Sequence, residues 1–233
     1  MKRAFDNGIE RFYLPGIDSE VIESMIALEN EYPGKCFCMM GLHPCSVNEN
    51  FKEELKIVEE WFTKRKFAAV GEIGLDFYWD KTFTQQQFEA FHFQIELSFR
   101  YKLPIVIHTR NAMAETLEVV EGYKQKGLYG IFHCFGGNYE DATRAIDAGF
   151  LLGIGGVVTY KNGGLAEWLN KVPLEHIVLE TDAPYLTPVP FRGKRNESSY
   201  LVYVAQKLAE IYKVSLDKIA EKTSANALKV FEL

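Results

Sequence analysis

Glu72, His108, His133 and Asp182 are the residues of this 233-residue chain whose types and spacing point to chemistry. His108 ends Pro104-Ile105-Val106-Ile107-His108, and His133 follows Gly130-Ile131-Phe132, so each imidazole closes a short apolar run. Glu72 lies inside Val70-Gly71-Glu72-Ile73-Gly74-Leu75-Asp76. Asp182 ends Ile177-Val178-Leu179-Glu180-Thr181-Asp182, where a spacing of two puts Glu180 and Asp182 on one face of a strand. His43, in Gly41-Leu42-His43-Pro44, is placed in the same way and reads as a substrate contact. Two imidazoles and two carboxylates make a mixed nitrogen and oxygen donor set suited to Zn²⁺, Mn²⁺ or Mg²⁺, with one or two ions per chain. A carboxylate within an apolar run is expensive to bury unpaired, and a cation offsets that cost. A single strand-end histidine is ordinarily a hydrogen-bonded structural residue; the recurrence is what argues for a site. His92, in mid-helix, and His176, ahead of a strand, read as helix-face and loop residues.

The intervals define the elements that must position these groups. His43, Glu72, His108 and His133 follow one another at 29, 36 and 25 residues, each about one strand-helix unit. Asp182 comes 49 residues after His133, the length of two units. Apolar runs at Arg11–Ile17, Phe37–His43, Ala68–Leu75, Pro104–Thr109, Gly130–Phe135, Phe150–Gly156 and Ile177–Asp182 mostly do not alternate, so they read as parallel strands covered on both faces. Amphipathic stretches separate them, with Asp18 or Ser19 and Thr84 as helix caps and Gly127 and Gly149 as stops. The tail, Ser215–Phe231, reads as a further helix. An α/β fold follows, either an open doubly wound sheet or a TIM-type (β/α) barrel. In a closed barrel the C-terminal strand ends converge on one mouth, whereas in an open sheet they spread along an edge. One polar residue per unit at the same strand end favours the barrel, as a single domain over residues 1–233. Seven of its eight strands are legible: Met1–Asn7 with Gly8 reads as the end of a helix, with no strand ahead of it.

Composition removes several classes. Net charge is −6, which argues against a broad electropositive face for duplex nucleic acid but not against an enzyme that holds one phosphate through a metal. No signal peptide or membrane-length apolar run is visible, and neither is a required protein partner; a cytoplasmic enzyme is the expectation. Cys36, Cys38, Cys45 and Cys134 form no C-x-x-C pair and read as small buried residues. No G-x-S-x-G, P-loop or H-E-x-x-H is present, and Gly153-Ile154-Gly155-Gly156 reads as packing rather than as a nucleotide loop.

Six blocks, in order, closely resemble the TatD family of metal-dependent nucleases, relatives of the amidohydrolases. They are Gly41-Leu42-His43-Pro44, Gly71-Glu72-Ile73-Gly74-Leu75-Asp76, His108-Thr109-Arg110, His133-Cys134-Phe135-Gly136-Gly137, Glu180-Thr181-Asp182-Ala183-Pro184-Tyr185-Leu186 and Arg195-Asn196-Glu197. The resemblance implies a two-metal deoxyribonuclease that cleaves phosphodiester bonds, acting on single-stranded DNA or DNA ends. It assigns Glu72 as the bridging ligand, His108 and His133 as ligands of one ion, and Asp182 as ligand of the other and base for the attacking water. His43, Arg110, Asn196 and Glu197 would line the substrate phosphate site.

Three departures accompany it. The family opens with a strand ending in His-x-His, whose imidazoles complete the Asp182-side ion; no His-x-His occurs in this chain, and His43 is its first histidine. By the family pattern about twenty residues, one strand and loop, are absent ahead of Met1. Asn111 stands where aspartate is usual, and Ser198 where proline is usual. Either the natural product is longer, or the chain is a seven-strand variant with one intact ion site and impaired two-metal catalysis. A related ester or amide hydrolase and a catalytically impaired metal-binding barrel are the competing readings.

Overall fold

The computed structural model describes residues 1–231. In chain order the helices and strands are α1 (Lys2–Asp6), β1 (Phe12–Leu14), α2 (Ile22–Glu31), β2 (Cys36–Cys38), α3 (Phe51–Lys64), β3 (Val70–Asp76), α4 (Thr84–Tyr101), β4 (Ile105–Arg110), α5 (Met113–Gly122), β5 (Gly130–Phe132), α6 (Tyr139–Asp147), β6 (Phe150–Ile154), β7 (Ile177–Leu179), α7 (Leu201–Tyr212) and α8 (Leu216–Phe231). The alternation is that of a (β/α) barrel, with seven strands among the described residues. The chain forms two compact units, Arg11–Ile131 and a second made of residues 1–10 with those from Phe132 onward.

In the Arg11–Ile131 unit, β1 pairs with β2 and β3 with β4, both parallel, and a parallel bridge between Met40 and Val70 joins the segment after β2 to β3. All seven residues of β3 are buried, Glu72 and Asp76 included, as a strand covered on both faces requires. The amphipathic helix α3 buries Phe51, Leu55, Val58 and Phe62 along one stripe and carries Glu53 and Glu54 in its first turn, where they complement the helix dipole. Gly16, Gly41 and Gly71 bring three chain segments together. A Cβ at Gly16 would lie 2.7 Å from the Gly41 nitrogen, and one at Gly41 would lie 3.0 Å from the Gly71 carbonyl carbon. Across this crossing the Glu72 amide donates to the Gly16 carbonyl at 3.0 Å, which anchors the backbone of the candidate ligand.

Two glutamines on α4, seven residues apart and so on one helix face, act as backbone surrogates. Gln87 accepts from the Asp76 amide at 2.9 Å and donates to its carbonyl at 3.1 Å. Gln94 does the same for Leu42, at 2.7 and 3.2 Å. Both are buried and satisfy the chain just where β3 ends and the His43 segment begins. Gln94→Leu is expected to strand the Leu42 amide and carbonyl and to cost about 2–3 kcal/mol, read as a lower urea midpoint at unchanged m. A loss under about 0.5 kcal/mol would show that Leu42 finds other partners.

In the second unit β6 pairs with β7 in parallel. A capping box opens α6, with Asn138 accepting from the Asp141 amide and Asp141 from that of Asn138. Asn226 on α8 donates to the Leu174 and Ile177 carbonyls at 2.7 Å, and the Tyr212 hydroxyl on α7 donates to those of Leu169 and Val172 at 2.8 Å, which fixes the entry to β7. The first helix, α1, is tied to the turn before α7 by an Arg3–Glu197 ion pair and by Asn7 donating to the Ser199 carbonyl at 3.1 Å.

Several sequence expectations shift. The strands expected at Arg11–Ile17, Phe37–His43 and Ile177–Asp182 are short, Phe12–Leu14, Cys36–Cys38 and Ile177–Leu179, and the residues that follow them continue as irregular chain. Thr84 is the first residue of α4 rather than its cap: its hydroxyl donates to the Lys81 carbonyl, whereas a cap must accept from the helix. Asp18 does accept, from the Glu20 amide. Cys36 and Cys38 are buried, but Cys45 is exposed and Cys134 partly so, since both lie past strand ends and outside the apolar layers. No helix among the described residues is long and apolar enough to cross a membrane.

Candidate metal centre

Each unit carries one imidazole held between two carboxylates. In the Arg11–Ile131 unit, His108 near the end of β4 presents Nε2 to Asp76 Oδ2 at 2.8 Å and Nδ1 to Glu72 Oε1 at 3.3 Å. In the other unit, His133 just past β5 presents Nδ1 to Glu180 Oε2 at 2.8 Å and Nε2 to Asp182 Oδ1 at 3.3 Å. One carboxylate is thus at full hydrogen-bond distance and orients the ring. The other stands back. Ligand bonds of about 2.0–2.2 Å to a tetrahedral ion leave a nitrogen and an oxygen about 3.3 Å apart. In both units the more distant carboxylate is the one whose sequence block marked it as a ligand.

The surroundings shape these pairs. Glu180 sits where Gly153 and Gly155 lack side chains; a Cβ at Gly153 would lie 2.5 Å from Glu180 Oε2 and one at Gly155 2.9 Å from Oε1. The Cys134 amide donates to Glu180 Oε2 at 2.7 Å, while Oε1 is buried with no hydrogen-bond partner among the described residues. A buried carboxylate oxygen in that state fits a cation in this unit better than it fits a closed protein network. Asn111, Cys134 and Asp182 adopt left-handed backbone at φ 52°, 44° and 51°. Each lies at or just past a strand end that carries a candidate residue, and such strain collects where side chains must be aimed.

The remaining predicted residues divide between the units. His43 stacks edge-on against His108, ring centroids 4.3 Å apart, and its Nδ1 accepts from the Cys45 amide. Arg110 lies over the Tyr78 ring. Asn196 is buried; its side-chain amide donates to the Thr181 and Tyr185 carbonyls at 2.6 Å, so it fastens the loop that carries Asp182. Glu197 is engaged by Arg3 and by the Ser199 hydroxyl. The orienting roles of Asp76 and Glu180 were missed in the sequence, although each sits an even number of residues from a marked ligand, the signal that could have found them.

Electrostatics reinforce the His108 pair. Burial opposes ionisation of Asp76, but hydrogen bonds from His108 and the Tyr78 amide outweigh it and hold the carboxyl well below the usual range. Burial also opposes charging His108, yet the hydrogen bonds to Asp76 and Glu72 raise its pKa overall. For metal-free protein the signs follow. The Asp76 contribution is present above the ordinary carboxylate pKa of about 3.9 and is lost as pH falls through its depressed value. The His108 contribution is present below the ordinary imidazole pKa of about 6.5 and is lost as pH rises through its raised value. The stability difference between wild type and Asp76→Asn is therefore expected to be largest between about pH 4 and pH 6.5 and to shrink on both sides, measured by urea unfolding in chelator. A difference independent of pH would rule out the coupled pair.

Comparison with known proteins places the chain in a family. A family model described as "TatD related DNase" matches residues 1–232. The chain belongs to the TatD family. Among relatives, it is 36% identical to the Bacillus subtilis protein named "Uncharacterized metal-dependent hydrolase YabD", over all of this chain and 91% of that one. It is 30% identical to the "3'-5' ssDNA/RNA exonuclease TatD" of Pantoea ananatis, over all of this chain and 92% of that one. The crystal structure of the Escherichia coli TatD homologue YjjV superposes with a TM-score of 0.92 at 27% identity, over all of this chain and 90% of the other. This TatD chain therefore has a TIM-type barrel fold.

Proposed function

We propose that this TatD-family chain is a divalent-metal-dependent hydrolase of phosphodiester bonds, a deoxyribonuclease acting on single strands or strand ends. The observation that carries the reading is the repeated spacing around His108 and His133, one carboxylate at 2.8 Å and one at 3.3 Å. The relatives' names, metal-dependent hydrolase and single-strand exonuclease, support the same class.

Glu72, His108, His133 and Asp182 are the proposed ligands of Zn²⁺, Mg²⁺ or Mn²⁺. A bound divalent ion polarises the phosphoryl oxygen and lowers the pKa of a water toward about 7. The chain's own groups do the rest. Asp76 and Glu180 hold the two imidazoles in the tautomers that leave the ligating nitrogen bare. The Asp182 carboxylate takes the proton of the attacking water, and its position depends on Asn196 fastening the loop at Thr181 and Tyr185. His43 and Arg110 face the substrate phosphate, Arg110 supplying a fixed positive charge. Glu197, paired with Arg3, is a further residue proposed to bind substrate.

Metal-loaded protein is expected to release nucleotides from single-stranded DNA, and excess chelator to stop the release. If metal-loaded protein cuts carboxylic esters or amides and leaves DNA intact, the substrate class is wrong. Asp76→Asn is expected to lower metal affinity about 10–100-fold with the fold retained, read by calorimetric titration beside circular dichroism. Wild-type affinity in that variant would show that His108 needs no such partner.

A further inference from the structure

The turn that leaves β3 places two large aromatic side chains in solvent. Trp79 is 69% exposed and Tyr78 50%. The turn is tightly held, because Asp76 Oδ1 accepts from the amides of Tyr78 at 2.9 Å and Trp79 at 3.3 Å. The other oxygen of the same carboxylate is the one that meets His108 Nε2. A single carboxylate therefore links the exposed aromatic pair to the candidate ligand. The Tyr78 and Trp79 rings meet edge to face, centroids 4.8 Å apart. Arg110, two residues beyond His108, lays its guanidinium 3.7 Å from the Tyr78 centroid and 5.3 Å from that of Trp79. The other two tryptophans are used internally: Trp61 lies under Lys64, and Trp168 packs on Phe135 and Tyr139.

We propose that Trp79, braced by Tyr78 and Arg110, is a stacking platform for one nucleobase of a single-stranded nucleic acid whose phosphodiester lies at the His108 side of the centre. This rests on the phosphodiesterase reading and adds what grips the strand. An exposed indole on a pinned turn loses little freedom when a base stacks on it, and every base offers a π-face, so the contact tolerates any sequence. Arg110 adds the one charge such a platform needs: it stacks on an aromatic face and attracts the adjoining phosphate. In a chain of net charge −6, broad electrostatic capture of the backbone is weak, and stacking beside the centre supplies the missing affinity.

The test is fluorescence anisotropy of labelled hexathymidylate and of an abasic hexamer with the same phosphates, titrated with the full chain in chelator so that nothing is cut. Wild type is expected to bind the base-bearing strand about tenfold more tightly than the abasic one. Trp79→Ala is expected to remove that preference, and Trp79→Phe to keep most of it. With metal, Trp79→Ala raises KM for the oligonucleotide with little change in kcat. Equal binding of the two strands by wild type, or an undiminished preference in Trp79→Ala, overturns the platform. Absence of cleavage by metal-loaded wild type, with the base preference intact, counts against the phosphodiesterase reading and leaves the platform standing.

Discussion

Glu72→Gln is expected to lower hydrolysis on the order of a thousandfold while the protein stays folded. Glutamine keeps the volume and one carbonyl oxygen but loses the charge that the proposed ligand role needs. Glu72 sits in β3 at only 5% exposure, with its amide bonded to Gly16, so its backbone stays in place when the head group changes. Its Oε1 stands 3.3 Å from His108 Nδ1, the separation of two ligands around one ion. A metal that stabilises developing charge contributes several kcal/mol, and about 4 kcal/mol corresponds to roughly a thousandfold in rate. Two measurements check this: metal stoichiometry by titration, expected to fall, and turnover at saturating metal. A variant that binds metal as wild type does and retains a tenth of the activity would remove Glu72 from the ligand set. Loss of circular dichroism would instead assign Glu72 a structural role, and Glu72→Asp, which keeps the charge, then separates the two by restoring the fold without the activity.

Gly74→Ala is expected to have a large effect on stability, a loss of more than about 4 kcal/mol. Gly74 pairs with His108 across the β3–β4 ladder. Its backbone is at φ +140°, and a Cβ there would lie 2.0 Å from the His108 carbonyl oxygen. Both a left-handed backbone and a hard backbone clash oppose a side chain, and the clash cannot be relieved by turning a rotamer. Any shift of β4 that made room would carry His108 away from Glu72 and Asp76. Gly127→Ala separates the two terms: it too has positive φ, +78°, but nothing lies within 4 Å of its Cβ. About 1 kcal/mol is expected there. Urea unfolding of both variants at matched pH is the measurement. If the two unfolding free energies agree to within about 1 kcal/mol, the close approach of β3 and β4 is not what fixes His108.

Much of the architecture was legible in the residues. The run from Val70 to Asp76 is apolar on both faces apart from its carboxylates, and such a run is stable only in a parallel strand covered on two sides. The amphipathic stretches between the strands need no tertiary information, because a helix with such a stripe must bury it, as α3 does with Phe51, Leu55, Val58 and Phe62. Less legible were the ends of elements. Thr84 resembled a cap, but whether its hydroxyl accepts or donates depends on where Lys81 lies, which local sequence does not specify.

By itself the sequence determined which residue types recur at strand ends, hence the alternating fold and the family, and it proposed the donor set. Side-chain chemistry and spacing carry that information locally. Only the tertiary structure shows how the set is arranged: Asp76 meets His108 at 2.8 Å while Glu72 stands back at 3.3 Å, Glu180 meets His133 at 2.8 Å while Asp182 stands back at 3.3 Å, and Asn196 fastens the Asp182 loop. The four carboxylates are alike as chemistry. What separates the proposed ligand from the proposed orienter is a difference of about half an ångström, set by strand register, glycine contacts and left-handed turns at the strand ends.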